Sequence, residues 1–461
     1  MCRHIFFFLF FTIDVLAIGP HEILLIVNGN SSESVEIGKW YAAARHVPPS
    51  NVVTVQVPRE FTLEISRQAF TDTIWVPACA EVDKRGIKSN ILAWVYSVGF
   101  PLSITTDPPI SITGITFTKN NLPSCKSIRD GTFKSALYTG FDTPLAIVPL
   151  DNPVSTASHS LDFYSEWLAD EMPLPSMILG HAGQFGNSIQ KIKKYLQKGI
   201  SSDGTRPTGE VWFVVSNDVR SHCRSWQYSY VQRELKNLGI RAYISSSFPP
   251  PETKIVGLMM GGAEIKPPEN IIYLHGCVAE HLTSEAAKFD SSAQTKLTAW
   301  LDAGAVASAG TVSEPFANWR KFPSAFFFCH YVSGCTIIES FYQSVYSPLQ
   351  VLFVGDPLAA PWAPRGRVDI NIQKEEGEKE EIIVRIDVSD IDNSYYGRVV
   401  LYIDEKKVGN GREHKIKTTS YKGGKHRIRA VAYRTNMVRT QLFCEKEIEF
   451  VSIKEGKNEK E

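Results

Sequence analysis

The stretch NIIYLHGCVAEHLTSEAAKFDSSAQTKLTAWLDAGAVASAGTVSEP, residues 270–315, decides the fold. IIYLHGCVAEHL is too uniformly apolar to alternate, as expected of a strand buried on both faces of a parallel sheet. Leu297, Trp300 and Leu301 then recur at helical spacing and give the next segment one apolar stripe. Gly304 predicts the helix stop, and AVASAG (305–310) a small-residue strand against which something packs closely. This is a βαβ unit. Its polar residues gather where strands end: His281, Thr283 and Ser284 at one, Thr311, Ser313 and Glu314 at the other. Ligands of open α/β sheets sit at carboxyl strand ends, so these residues are the first candidates for chemistry.

Further out, EILLIVN (22–28) reads as a first strand ending in Asn28-Gly29-Asn30, followed by a helix capped at Ser31 or Ser32. VPPSNVVTVQVP returns as a second strand, and ILAWVYSVGFPLSI (91–104) is a third. Residues 105–150, rich in Thr, Pro, Ser and Asn, interrupt the rhythm. They read as an insertion, with room for a hairpin, that covers the ligand edge. SIQKIKKYLQKGI is an amphipathic helix ending near Gly199, and GHAGQFGNS a glycine-punctuated loop. VWFVVSNDVRS (211–221) is a strand whose exit carries Asn217, Asp218 and Arg220. IRAYISS and KIVGLMMGGAEI are two more strands. Neither GxGxxG nor GxxxxGK[ST] occurs, which argues against a nucleotide cofactor. From about Arg365 the pattern changes to short alternating strands, IIVRIDVSD, RVVLYIDEKKV, KHRIRAVAYR and QLFCEKEIEFVSI, as in a small all-β sandwich. The expected architecture is therefore α/β, a mostly parallel sheet flanked by helices over 18–363, then a β-sandwich over 366–452. A charged tail, 453–461, completes the chain.

Residues 1–17, MCRHIFFFLFFTIDVLA, have a basic start, an apolar core and Val15 three positions before the end of a cleavage site after Ala17. They predict a secretory leader, with a buried first strand as the alternative because Asp14 interrupts the run. No other segment approaches the ~20 apolar residues of a membrane helix. The 49 basic and 49 acidic residues balance, which argues against a nucleic-acid or anionic-membrane role. Of the eight cysteines, cleavage removes Cys2 and leaves an odd number; Cys79 and Cys125 flank the insertion-like region and form the one tentative disulfide pair. No CxxC occurs, so no metal site is expected.

CVAEHLTS, WLDAGAVASAGTVSEP and VGDPLAAPW (354–362), with LLIVNGNSSESVEIGKWYAAARHVPPSNVV and VWFVVSNDVRS, resemble an uncharacterised family of exported bacterial proteins distantly related to gingipain- and caspase-like cysteine peptidases. The resemblance covers most of 22–363 and implies a caspase-like three-layer fold. GGKHRIRAVAY resembles the last strands of bacterial immunoglobulin-like modules. The peptidases place a His-Gly pair at one strand end and a Cys at the next. Here the corresponding ends read Met260-Gly261-Gly262 and Thr283-Ser284, so the dyad is absent.

Three site readings remain. His281, Ser284 and Glu314 have the residue types of a Ser-His-acid set, but no G-x-S-x-G elbow. His275 and Cys277 share a strand face if the strand is straight, although a buried Cys is usually inert. Asp218 with Arg220 suits a substrate carboxylate or a plain structural ion pair. Together with Asn28 and Thr283 as binding candidates, these residues support two functions. One is a binding or surface-assembly protein for a protein or carbohydrate at the cell surface, without a cofactor. The other is a hydrolase using Ser284 or Cys277.

Overall fold

A computed structural model describes residues 15–16, 18–61, 63–141, 157–374, 381–391, 395–435 and 438–450. Most of the leader, residues 142–150 of the insertion and the charged tail lie outside them. The chain separates into two compact units, one built on Leu16–Ala363 and Met437–Arg439, the other on Pro364–Asn436 and the residues from Thr440 onward, to which Val15 also belongs.

The first unit is organised on one ten-stranded sheet. Its strands are β1 (Ile23–Asn28), β2 (Val52–Val55), β3 (Ala93–Tyr96), β4 (Ser176–Ile178), β5 (Glu210–Val214), β6 (Arg241–Ser245), β7 (Lys254–Gly261), β8 (Ile272–Leu282), β9 (Ala307–Thr311) and β10 (Val351–Gly355). From edge to edge the order is β6-β5-β7-β8-β9-β10-β4-β3-β1-β2. β10 runs antiparallel to β9, Ala307 opposite Gly355 and Thr311 opposite Val351. Helices α1 (Ser32–Ala44) and α2 (Ile189–Ile200) show how the strands on either side of β10 are oriented. Lys193 pairs with Glu36 at 2.7 Å near the two starts, and Arg45 meets Asp203 just past the two ends. The helices therefore run the same way, and so do the strands they follow and precede. The carboxyl ends of β5 to β9 share one edge, and on its other side β10 meets β4 at Val354 and Ile178.

The expected mostly parallel α/β sheet is present, and several local signals act as read. Ser31 caps α1 by accepting from Ser34 N–H. Helix α3 (Val219–Ser225) follows β5, and α4 (Tyr228–Asn237) leads to β6. Helix α5 (Thr298–Ala303) ends at Gly304, whose φ of 125° a side chain would resist. A Cβ at Gly310 would meet the backbone of Ala286, so the small-residue strand β9 does admit a close neighbour. The insertion contains a short antiparallel pairing, Ser103 with Ser111 and Ile104 with Ile110. It reaches the carboxyl edge, where Ser313 Oγ donates to Pro109 O at 2.7 Å.

Other expectations need correction. β4 was hidden between Pro173, Pro175 and the glycine loop. β10 is a short apolar run with nothing in it to indicate its direction against β9 or its central place. Cys79 and Cys125 carry free thiols on separate helices, Val76–Arg85 and Cys125–Asp130, so the tentative disulfide is not formed.

The second unit is all-β: β11 (Gly366–Lys374), β12 (Glu381–Asp390), β13 (Arg398–Ile403), β14 (Lys406–Asn410), β15 (Glu413–Lys417), β16 (Gly424–Tyr433) and β17 (Gln441–Phe450). β11-β12-β15 form one antiparallel sheet. The other runs β17-β16-β13-β14, with the short strand Val15–Leu16 on the outer side of β17. RVVLYIDEKKV, read as one strand, is a hairpin: Asp404 and Glu405 turn the chain with φ of 48° and 65°. Both central residues of such a tight turn need positive φ, which normally calls for Gly or Asn, so the signal was invisible. Val400, Tyr402, Val431, Tyr433 and Phe443 form its core.

Candidate functional site

The sheet order creates two places where consecutive connections leave in opposite directions. β1 is followed outward by β2 and inward by β3. β5 is followed outward by β6 and inward by β7. A crevice outside each such point is where open α/β sheets take ligands. Here both points are bridged by the same device, a polar side chain at or just past the end of the first strand donating to a glycine carbonyl at or just past the end of the third.

At the first, buried Asn28 donates from Nδ2 to Gly99 O at 2.7 Å, while its Oδ1 accepts from Asn30 N–H at 3.0 Å and Val57 N–H at 3.3 Å. One side chain ties three chain segments together and keeps a single amide N–H in reserve. At the second, Ser216 Oγ donates to Gly261 O at 3.4 Å. Asp218 caps α3, accepting from Arg220 N–H at 2.8 Å, and pairs with the Arg220 guanidinium at 3.2 Å. Burial raises the Asp218 carboxyl, but the Arg220 N–H and guanidinium and the Ala263 N–H outweigh it and hold the group below its ordinary range. A Cβ on Gly261 would collide with the backbone of Arg220 and Ser221, so α3 sits directly on the strand end. Asp218 and Arg220 are thus paired with each other at the strand end. Asn217 stands exposed at the tip of this turn.

His281, Ser284 and Glu314 occupy the same edge but do not form a set. His281 is 1% exposed. Its Nδ1 accepts from Trp300 Nε1 at 2.8 Å and its Nε2 faces Thr295 O at 3.1 Å, which fixes the Nε2–H tautomer. Burial drives its pKa down to about 3, against the Thr295 carbonyl and helped by the cations Arg224 and Lys296. Both nitrogens are engaged, so this imidazole has no lone pair for a hydroxyl. The Ser284 carbonyl accepts from Thr311 Oγ1 at 2.9 Å. Exposed Glu314 turns back to accept from Phe316 N–H at 2.7 Å. Thr283 Oγ1 donates to Gln294 Oε1 at 2.5 Å, closing the loop after β8 on itself.

The thiol alternative fails on conformation. Gly276, with φ of 85°, turns the strand so that His275 is exposed while Cys277 is fully buried. Burial pushes the Cys277 thiol far above its ordinary value, opposite to what a nucleophile requires. His275 Nδ1 instead meets Ser201 Oγ at 2.7 Å. Ser201 caps the carboxyl end of α2, where carbonyls point outward. An oxyanion needs N–H donors there, so this exposed pair is a cap contact. Among the described residues no three His, Cys, Asp or Glu side chains converge to hold a metal.

Two buried charge clusters escaped the sequence reading. Glu280, on the opposite face of β8 from His281, pairs with Arg224 of α3, which also donates to Met260 O at 2.6 Å and Pro323 O at 2.8 Å. An acidic residue inside a strand buried on both faces was the available signal. Arg45 lies between Asp203 and Asp356, and Tyr41 donates to Asp356 at 2.8 Å. The signal here was an aspartate directly after a buried strand, in VGDP.

These groups set a pH profile. Burial holds His181 down at about 4 and His281 and His330 at about 3, and lifts Glu280 and Glu339 to about 7 against their donors. The histidines stabilise the fold above 6.5 and lose that contribution as pH falls. The glutamates stabilise it below 4.5 and lose theirs as pH rises toward 7. Between those limits the unfolded chain carries three histidine protons where the fold carries two glutamate protons. Stability should then fall by only about 1.4 kcal/mol per pH unit on acidification, and about three times as steeply just below 4.5. Urea titrations at half-unit intervals measure this. A three-proton slope already present at pH 6 would show Glu280 and Glu339 to be ionised.

Comparison with known proteins gives little further. No protein-family model matches the chain, and no curated protein matches it. Among solved structures, fibronectin(III)-like modules of Clostridium thermocellum CbhA match at 17% identity over 23% of this chain, with a TM-score of 0.15. This chain covers 54% of that one, about half its length. No described helix is long and apolar enough to cross a membrane.

Proposed function

We propose that the protein is an exported binding or surface-assembly protein, its first unit a caspase- or gingipain-like scaffold without the His–Cys pair and its second an immunoglobulin-like module. A protein or carbohydrate at the cell surface is the partner class this reading implies. One observation carries it: His281, the histidine closest to the role of general base at the carboxyl edge, has both nitrogens committed to Trp300 and Thr295. A serine without a base is a poor nucleophile, and a fully buried, protonated thiol is no better. Profiling the folded protein with fluorophosphonate and iodoacetamide probes tests it. Neither Ser284 nor Cys277 should be labelled. Labelling of Ser284 that disappears in His281→Ala would overturn the reading in favour of the hydrolase.

A further inference from the structure

The end of the second unit where β13 turns into β14 is also where β16 begins and β17 stops. Asp404 and Glu405 make that turn with φ of 48° and 65°, a left-handed backbone that side chains resist and that neighbouring contacts must hold in place. β16 supplies such contacts. Asp404 N–H donates to Arg427 O at 2.9 Å, and Arg427 N–H donates back to Asp404 Oδ1 at 3.0 Å. The second carboxylate oxygen, Oδ2, lies 2.6 Å from His426 Nδ1.

His426 faces a second acceptor. Its Nε2 lies 2.6 Å from Lys422 O, in the loop that leads into β16. Both neighbours are oxygens without a hydrogen, and a neutral imidazole has one N–H and one lone pair. A neutral ring therefore bonds one oxygen and turns a lone pair on the other. Only an imidazolium serves both, and an imidazole is a stronger base than a carboxylate. The His426 side chain is 10% exposed. Tyr421 meets the ring edge-on with centroids 5.8 Å apart, and Phe450 lies across it at 4.6 Å. Of the other charges nearby, Glu405 senses Arg429 and Arg427, and Lys446 stands on β17 two positions before Ile448, the residue opposite His426. Burial works against the charged ring, but the Asp404 carboxylate and the Lys422 carbonyl outweigh it and hold the group above its ordinary range.

We propose that His426 is a proton-operated latch: as an imidazolium it pins both the turn at Asp404 and Glu405 and the loop 421–423 to the start of β16, and losing the proton frees the loop. The neutral ring keeps its N–H on Nδ1, toward the carboxylate, because a charged acceptor makes the stronger bond. Lys422 O then faces a lone pair and loses its donor. A group whose value is raised in the fold stabilises it fully below about 6.5, the unfolded value, and loses that contribution as pH rises through the folded value. The latch is closed in acid and opens toward alkaline pH, the opposite sense to the buried histidines of the first unit. The device belongs to the second unit alone and stands whether or not the first unit proves catalytic.

The full chain carrying carbon-13-labelled histidine tests this across neutral and mildly alkaline pH, with His426→Gln identifying the resonance by its loss. The His426 ring should titrate above the ordinary imidazole value of about 6.5. Hydrogen exchange, corrected for the intrinsic rate at each pH, should show protection across 418–424 falling about tenfold or more with the same midpoint, the worth of one charge-assisted hydrogen bond. Protection across 398–404 should persist. In His426→Gln the loop should be equally loose at every pH. In Asp404→Asn the midpoint should drop toward the ordinary value, since the carboxylate is gone. A His426 midpoint at or below the ordinary value would overturn the proposal. So would protection of 418–424 that ignores the titration of the ring, or a His426→Gln loop as tight as the parent's in acid.

Discussion

Arg224→Met should cost about 3–5 kcal/mol at pH 8, where it leaves an uncompensated carboxylate in the interior, and far less at pH 5. Arg224 and Glu280 are both fully enclosed, and their contact is the only charge compensation either has among the described residues. The sign follows from the carboxyl. Burial already lifts Glu280 to about 7 while Arg224 pulls it down. Removing the guanidinium lets burial act alone, so the folded-state value rises further. A raised carboxyl stabilises the fold when protonated and loses that contribution as pH rises. The variant should therefore be rescued by acid, whereas the parent weakens in acid. Met260 O and Pro323 O also lose their donor, a smaller cost that does not depend on pH. Urea unfolding at the two pH values measures the difference, and Arg224→Met with Glu280→Gln should recover most of the pH 8 loss. Equal destabilisation at both pH values would show that the charge of Glu280 is not the cause.

Arg45→Met should have a larger effect, because one guanidinium answers two buried carboxylates. Its loss takes a cation from both Asp203 and Asp356. Neutral donors remain beside them: Ala360 N–H at 2.8 Å for Asp203, and Tyr41 Oη at 2.8 Å with Leu358 N–H at 3.2 Å for Asp356. Twice the single-pair cost reaches about 6–10 kcal/mol, comparable to the whole stability of an ordinary domain. The variant should accumulate as insoluble or unfolded chain. Arg45→Lys should fold but melt lower, since one ammonium cannot span two carboxylates with the geometry of a planar fork. Far-ultraviolet circular dichroism and a melting curve decide the matter. An Arg45→Met protein melting within a few degrees of the parent would mean the cluster is hydrated and contributes little.

What the sequence disclosed and withheld follows from how far each signal reaches along the chain. β8, the stop at Gly304 and the cap at Ser31 are written in neighbouring residues, and each was legible. The carboxyl edge was legible too, because strand-end polarity is local and parallel crossovers have one hand. The partners of the edge residues were not. His281 is satisfied by a main-chain carbonyl at Thr295 and an indole at Trp300, and carbonyls carry no residue signature. Asn28 looked like a binding group for the same reason: its acceptors and donors are backbone atoms of Gly99, Asn30 and Val57. The inverted strand β10 depends on pairing with β9 and β4, which lie far away in sequence. Apolar content alone gives neither its direction nor its neighbours.

That strand has a bearing on how the chain is made. In order of synthesis β10 is last of the ten, yet its place is the middle of the sheet, between β9 and β4. During vectorial production, β1 to β4 and then β5 to β9 emerge as two separate half-sheets, each with a raw inner border. Neither border is sealed until Val351–Gly355 arrives, more than three hundred residues after β1. Contacts this distant in sequence form slowly, and exposed borders invite mispairing with other chains meanwhile. A nascent chain of this protein must therefore be kept from closing on the wrong partner until its final segment drops into the gap.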